Sequence, residues 1–188
     1  MSVLFDGKRI ILASGSPRRK ELLAYLFEAF DVIPSGIDEA ASGSPAQQVE
    51  KLAADKANDI AGHYPDAVVI GADTLVAVDE HILGKPKDEA DAAAMLRMLS
   101  GRSHNVYTGV AVITDGQMHT VVESTRVTFC RMSDDEISEY IATGEPMDKA
   151  GAYGIQGYGG KYISGIEGCF FNVMGLPLNR LNTMLKSM

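Results

Sequence analysis

Six residues, Ala67–Ala72 (AVVIGA), are apolar without interruption, and Asp73 follows them directly. An unbroken apolar run of this length fits a central strand covered on both faces, since a half-exposed strand alternates. A carboxylate at the end of such a strand has two readings. It caps a turn, or it stands in the crevice where open α/β sheets bind ligands and serves as a metal ligand or base. Thr74-Leu75-Val76-Ala77-Val78 resumes at once as strand, which leaves little turn to cap.

A second constrained stretch is Ile11–Leu23, ILASGSPRRKELL. Arg9–Ala13 reads as a strand. Ala13, Ser14 and Gly15 are small enough for a close backbone approach to a ligand. Ser16 suits a helix N-cap and Pro17 the first helical position, so a helix over 16–27 is expected, with Leu22, Leu23 and Leu26 facing the core. Free N–H groups at such a helix start attract anions. Arg18 and Arg19 stand in the first turn, where the helix dipole disfavours cations. They are either a solvated pair or ligands of an anion bound there.

Phe30–Pro34 reads as a short strand entering a loop over 35–44, which carries Asp38 and Glu39 among Gly, Ala and Ser. This is a polar turn or a flexible segment that delivers a carboxylate. Ser44-Pro45-Ala46-Gln47 is a capping box. The helix it opens runs to about Ala61, with Gly62 as its C′ residue. Val49, Leu52, Ala53, Ala57 and Ile60 form its apolar stripe, and Lys56 falls on or beside that stripe. A buried ammonium without a partner is costly. Lys56 therefore either snorkels outward or meets an anion.

Further along, Asp79-Glu80-His81 reads as a hairpin loop. In Gly84-Lys85-Pro86 the proline extends Lys85 so that it could reach a site. A helix is expected over 88–99. Two long strands, 105–114 and 118–130, flank the turn Asp115-Gly116. A second capping box, Ser133-Asp134-Asp135-Glu136, opens a helix that ends by Gly144. The glycine-rich stretch Gly151–Gly168 is a chain of tight turns, or a wall that lets the Gln156 amide read a base edge. Phe170, Phe171, Val173 and Met174 read as core, and 176–185 as the closing helix, with Pro177 near its start. His63, His81, His104 and His119 are scattered, mostly on turns or exposed strand faces, with no partner visible in the sequence.

Composition narrows the function. The 188 residues are 46% hydrophobic and 22% charged, as in an ordinary globular protein able to bury a sizeable core. A formal net charge of −8 argues against a general nucleic-acid or membrane-surface binder. An anionic ligand must then be attracted by local cations, and a divalent metal would help. Cys130 and Cys169 show no metal-ligand spacing and read as reduced, buried thiols. The start MSVLFDGKRI lacks the apolar core of a signal peptide, and no apolar run approaches transmembrane length, so a cytoplasmic location is expected. Arg18, Arg19, Lys56 and Lys85 around Glu39 and Asp73 suit a polyphosphate held with a hard cation such as Mg²⁺. Phosphoanhydride hydrolysis needs mainly charge stabilisation and positioning.

In family order, ASGSPRRKELL, Ile37-Asp38-Glu39, Lys56-Ala57, GADT, GKP, TGVAV and GAYGIQG resemble the Maf family of nucleoside triphosphate pyrophosphatases. The resemblance runs from Ile10 to the last helix. It implies an α/β fold with a mixed central β-sheet flanked by helices. It also implies a single domain over 1–188 with two lobes around a cleft, as in the inosine-triphosphate pyrophosphatase (Maf/Ham1) architecture. The implied activity is hydrolysis between the α- and β-phosphates to a monophosphate and pyrophosphate. Asp73 would be the catalytic carboxylate. Glu39, Lys56 and Lys85 would share the catalytic site, with Asp73 and Glu39 as ligands of Mg²⁺ or Mn²⁺. Ser14 and Arg19 would hold substrate. Arg18, Thr74 and Gln156 occupy the positions that vary with the base, and here they look like the branch that cleaves dTTP and UTP. A homodimer is expected from the family. The competing reading is a nucleotide-binding regulator of septum formation and cell division without essential turnover. A sensor needs no water-activating carboxylate, so Asp73 and Glu39 favour hydrolysis.

Overall fold

The structure, a computed structural model, describes residue 5 and residues 7–188. Within the start MSVLFDGKRI, residues 1–4 and 6 lie outside the described residues. The elements run β1 (Ile10–Leu12), α1 (Pro17–Leu23), β2 (Asp31–Val32), α2 (Pro45–Ala61), β3 (Val68–Val78), β4 (His81–Leu83), α3 (Glu89–Leu99), β5 (Ser103–Thr114), β6 (Gln117–Phe129), α4 (Asp134–Ala142), β7 (Ile163–Glu167), α5 (Phe170–Met174) and α6 (Leu178–Lys186). Among the described residues the strands hydrogen-bond in the order β2-β1-β3-β5-β6-β7, and β4 pairs with β3. β1 is parallel to β2 and to β3, whereas β4 on β3 and β7 on β6 are antiparallel. The sheet is therefore mixed, as expected. The chain divides into two compact units, one of residues 1–73, 108–123 and 175–188, the other of residues 74–107 and 124–174.

In the first unit, helix α2 lies on one face of β3 and β5. Both capping-box bonds at Ser44 and Gln47 are present, and Pro45 opens the helix. Its stripe packs Ala53, Ala57 and Ile60 against Ile11, Val69, Ala111 and Ile113. Two glycines set the separation. A Cβ on Gly71 would lie 2.3 Å from the Ala53 carbonyl oxygen and 2.8 Å from the Ala57 nitrogen. One on Gly109 would lie 2.2 Å from the Val49 carbonyl oxygen. Helix backbone thus touches strand backbone, an approach only glycine permits. Gly62 ends α2 at φ −58°, in the right-handed region, so the helix stops without the left-handed turn expected of C′ glycine. Helix α1 is shorter than its apolar spacing suggested. Tyr25 and Leu26 donate to the carbonyls of Leu22 and Leu23, and these i→i+3 bonds tighten the last turn.

In the second unit, α3 and α4 contribute Ala92, Leu96, Leu99, Ile137 and Tyr140 to a core with Val76, Val106, Val127, Phe129 and Tyr153. The capping box at Ser133 and Glu136 forms as the sequence suggests. Four readings need correction. Strand β7 emerges inside the glycine-rich stretch, because pairing with β6 overrides weak local propensity. Phe170 and Phe171 are exposed, at 41% and 38%, with their rings packed edge to face on each other. Of the two thiols, both free, Cys130 is exposed and Cys169 half-buried. His104 is buried at 3% exposure, with its Nε2 2.7 Å from the Tyr153 hydroxyl oxygen. It also packs against the Phe129 ring.

Burial holds His104 down to a pKa of about 4 from an ordinary 6.5. The folded state therefore refuses a proton that the unfolded chain accepts. Stability is unaffected above the ordinary value and falls as pH drops from 6.5 towards about 4. The full loss is about 3 kcal/mol. Urea unfolding across this window tests it, and the expected result is a steeper acid limb for the parent chain than for His104→Gln. Identical limbs would refute the assignment.

Candidate active site

The site in the first unit grows from the parallel pair β1 and β3. Leu12 pairs with Ile70, so Ser14 and Asp73 follow the last paired positions by two and three residues. Residues 69, 71 and 73 alternate onto one face of β3. Val69 and Gly71 meet α2 there, and Asp73, next in the series, meets Lys56. β3 runs unbroken through Asp73 to Val78, so the turn-capping reading fails and Asp73 is a buried carboxylate within a strand.

Lys56 does not snorkel. It is 6% exposed, and its Nζ donates to Asp73 Oδ1 at 2.7 Å. The same Nζ lies 2.6 Å from Glu39 Oε1, with Glu39 held on the loop after β2 and its side chain 57% exposed. One buried ammonium thus joins a carboxylate from the core to one from a loop. The sequence suggested both carboxylates and this lysine, but no spacing predicts their meeting.

Arg19 interacts electrostatically with both carboxylates. Its Nη1 donates to Ser14 Oγ at 3.1 Å, and its Nε donates to the Gly175 carbonyl at 2.9 Å. Ser16 Oγ caps α1 by accepting the Arg19 backbone N–H. Burial pushes the Arg19 guanidinium below the usual arginine value. The negative charges of Asp73 and Glu39 oppose this, and the neighbouring Arg18, half-buried, adds to it. Ser14, Arg18, Arg19, Glu39, Lys56 and Asp73 therefore form one electrostatic neighbourhood with three cations and two carboxylates. Such a set neutralises an oxyanion and keeps a base beside it.

The remaining suggested residues belong to the second unit. Thr74 is half-buried and continues β3 directly after Asp73. Lys85 is exposed between β4 and α3. Gln156 is exposed in the loop that follows a short 3₁₀ turn at Ala150–Ala152. Around it the chain folds onto Glu145. Tyr158 N–H donates to Glu145 Oε2 at 2.8 Å, and Gly159 N–H to Oε1 at 3.0 Å. The Tyr140 hydroxyl donates to Oε1 at 2.7 Å and accepts the Gly154 N–H at 2.9 Å. Glu145, Tyr140, Gly71 and Gly109 were not singled out by sequence. For the glycines a signal existed, since a glycine inside a strand pattern marks close backbone approach. For Glu145 none did.

Among the described residues, no group of three or more His, Cys, Asp or Glu side chains is placed to hold a metal ion. Asp73 and Glu39 still offer hard oxygens converging on one point, the Lys56 ammonium. That donor set fits a divalent cation of the Mg²⁺ type, which takes one or two carboxylates and completes its shell with waters and phosphate oxygens. No described helix is long and apolar enough to cross a membrane.

A buried carboxylate–ammonium cluster with arginine beside it, on a mixed α/β sheet, defines a candidate oxyanion-handling enzyme. The family model described as "Maf-like protein" matches residues 9–188, and the chain belongs to that family. A relative from a Geobacillus species, named dTTP/UTP pyrophosphatase, is 54% identical over 175 residues, covering 92% of this chain and 94% of its own. One of the same name from Koribacter versatilis is 52% identical over 182 residues, covering 96% and 94%. A solved structure, the Staphylococcus aureus Ham1 protein, matches at 18% identity with a TM-score of 0.49, over 65% of this chain and 72% of that one.

Proposed function

We propose that the protein is a nucleoside triphosphate pyrophosphatase acting on dTTP and UTP, with residues 1–188 as one two-lobed domain. The observation that carries this is the near-full-length identity of about half with relatives bearing that name. The cluster in the first unit supplies what the chemistry requires. Arg19 and Lys56 neutralise phosphate oxygens, and Ser14 orients Arg19. Asp73 takes a proton from water as the water oxygen bonds to the α-phosphorus. The bond from that phosphorus to the bridging oxygen breaks, and pyrophosphate leaves with the electron pair. Asp73 and Glu39 would hold a Mg²⁺ or Mn²⁺ ion, which when bound supplies further neutralisation of phosphate charge. Lys85 adds a cation for the phosphates. Arg18, Thr74 and Gln156 select the base, with the Gln156 amide pairing to the O4 and N3–H edge of thymine or uracil. The proposal includes a homodimer, on the family resemblance. It also includes a cytoplasmic location, for which two free cysteines are the physical support.

Pyrophosphate release from a panel of purine and pyrimidine triphosphates with Mg²⁺ or Mn²⁺ tests the proposal. The expected result is release from dTTP and UTP at a kcat/KM at least about tenfold above that of the purines. Tight nucleotide binding without release from any triphosphate would overturn it.

A further inference from the structure

The sequence GIQGYGGKY (residues 154–162) carries four glycines, and a Cβ at any of them would meet an obstacle closer than 3.0 Å, at Gly160 the Ile155 carbonyl oxygen at 2.7 Å. A Cβ on Gly157 would lie 1.9 Å from Glu145 Oε2. One on Gly159 would lie 2.5 Å from the Tyr140 hydroxyl, and one on Gly154 3.0 Å from Glu145 Oε1. The nearest obstacle is the Glu145 carboxylate at Gly157, the Tyr140 hydroxyl at Gly159 and the Lys149 side chain at Gly154, so the loop is wrapped closely on all three side chains. The carboxylate receives the backbone N–H groups of Tyr158 and Gly159 and the Tyr140 hydroxyl, while Lys149 Nζ donates to the Glu145 backbone carbonyl at 2.7 Å. Burial works against its charge. The hydroxyl and the two N–H groups outweigh burial, with Lys149 assisting, and the carboxyl is held below the ordinary glutamate value. Glu145 therefore stays ionised and accepts three hydrogen bonds. Gln156 lies between Gly154 and Gly157, inside the clamped turn.

We propose that Glu145 is a positioning residue for base selection. It holds the backbone after Gln156 directly, at Tyr158 and Gly159, and the backbone before it at Gly154 through the Tyr140 hydroxyl, so that the exposed amide is presented in one orientation to the pyrimidine edge. This rests on the assignment of Gln156 as base reader made above. In this role Glu145 handles no phosphate and acts on base selection through Gln156. A carboxamide in place of the carboxylate keeps the size but turns one acceptor into a donor, which faces an N–H group and breaks one side of the clamp.

The experiment compares Glu145→Gln, Tyr140→Phe, Gln156→Ala and the Glu145→Gln/Gln156→Ala double variant with the parent chain. Steady-state kinetics use dTTP, UTP and GTP, and amide hydrogen exchange is followed across the loop. Glu145→Gln is expected to lower the pyrimidine-to-purine ratio of kcat/KM about tenfold, chiefly through the KM for pyrimidines, as Gln156→Ala does. The double variant should lose no more than Gln156→Ala. The Tyr158 and Gly159 amides should exchange faster in Glu145→Gln. Tyr140→Phe leaves the carboxylate in place but removes two clamp bonds, the hydroxyl's donation to Glu145 Oε1 and its acceptance of the Gly154 N–H, and should shift the ratio in the same direction, which keeps the test open if Glu145→Gln does not fold. A parent-like ratio in Glu145→Gln, with the ratio lost in Gln156→Ala, overturns the role of Glu145 and leaves base reading intact. An unchanged ratio in Gln156→Ala overturns base reading itself, and the role of Glu145 with it. An equal fall in kcat for all three triphosphates in Glu145→Gln marks general structural damage and also overturns the proposal.

Discussion

Asp73→Asn is expected to abolish most turnover while leaving the fold in place. The substitution is isosteric, and the amide oxygen can still accept from Lys56 Nζ, which now bonds Asp73 Oδ1 at 2.7 Å. What disappears is a group able to take a proton from water. A positioned general base contributes about 10²–10⁴ in rate, so a fall of about 10³ in kcat for dTTP is expected. Nucleotide binding should persist, because Arg19 and Lys56 are untouched and Glu39 remains as a carboxylate for the metal. Pyrophosphate release and equilibrium nucleotide binding, measured on the same preparation, check both halves. Turnover within about tenfold of the parent would remove Asp73 from the chemistry.

Lys56→Met carries the largest expected effect on stability. Methionine fills similar space, but it removes the ammonium that bonds the buried Asp73 carboxylate and reaches Glu39. Removing one partner of a buried ion pair costs about 3–5 kcal/mol, because the other charge stays desolvated. Chemical denaturation should show a loss of about 3 kcal/mol or more for Lys56→Met, partly recovered by adding Asp73→Leu, which removes the stranded charge. Equal stability of parent and Lys56→Met would mean that the bridge contributes nothing to folding.

These residues differ in how far the sequence betrays them. Asp73 was legible because it interrupts an apolar run, and Lys56 because it breaks an apolar helical stripe. The two capping boxes were legible because their chemistry is local: Ser44 with Gln47, and Ser133 with Glu136, span a single turn. Glu39 was recognisable as a loop carboxylate, but its meeting with Lys56 depends on how an irregular segment returns over α2, and no periodicity encodes that. His104, one residue before the strand expected over 105–114, shows no partner in the sequence. It is buried because Tyr153, 49 residues later, supplies its partner. Phe170 and Phe171 looked like core because apolar content alone cannot distinguish a short exposed helix from a buried one. Glu145 follows a glycine and precedes a proline, a setting that reads as a plain turn. Its use as an acceptor becomes visible only once residues 158 and 159 are folded against it.

The glycine contacts between α2 and the strands also bear on how a map of tolerated substitutions would look. Gly71 and Gly109 carry no reactive atom, yet at each the nearest obstacle to a methyl group is helix backbone, which cannot rotate aside. Any replacement must lift α2 from the sheet, and Lys56 rides on that helix. In a saturation screen scored by turnover alone, these two glycines would rank beside Asp73 and pass for members of the reaction centre. Cellular abundance measured in parallel separates the two kinds of intolerance. Asp73→Asn leaves a plentiful, idle protein, whereas the glycine replacements remove activity and protein together.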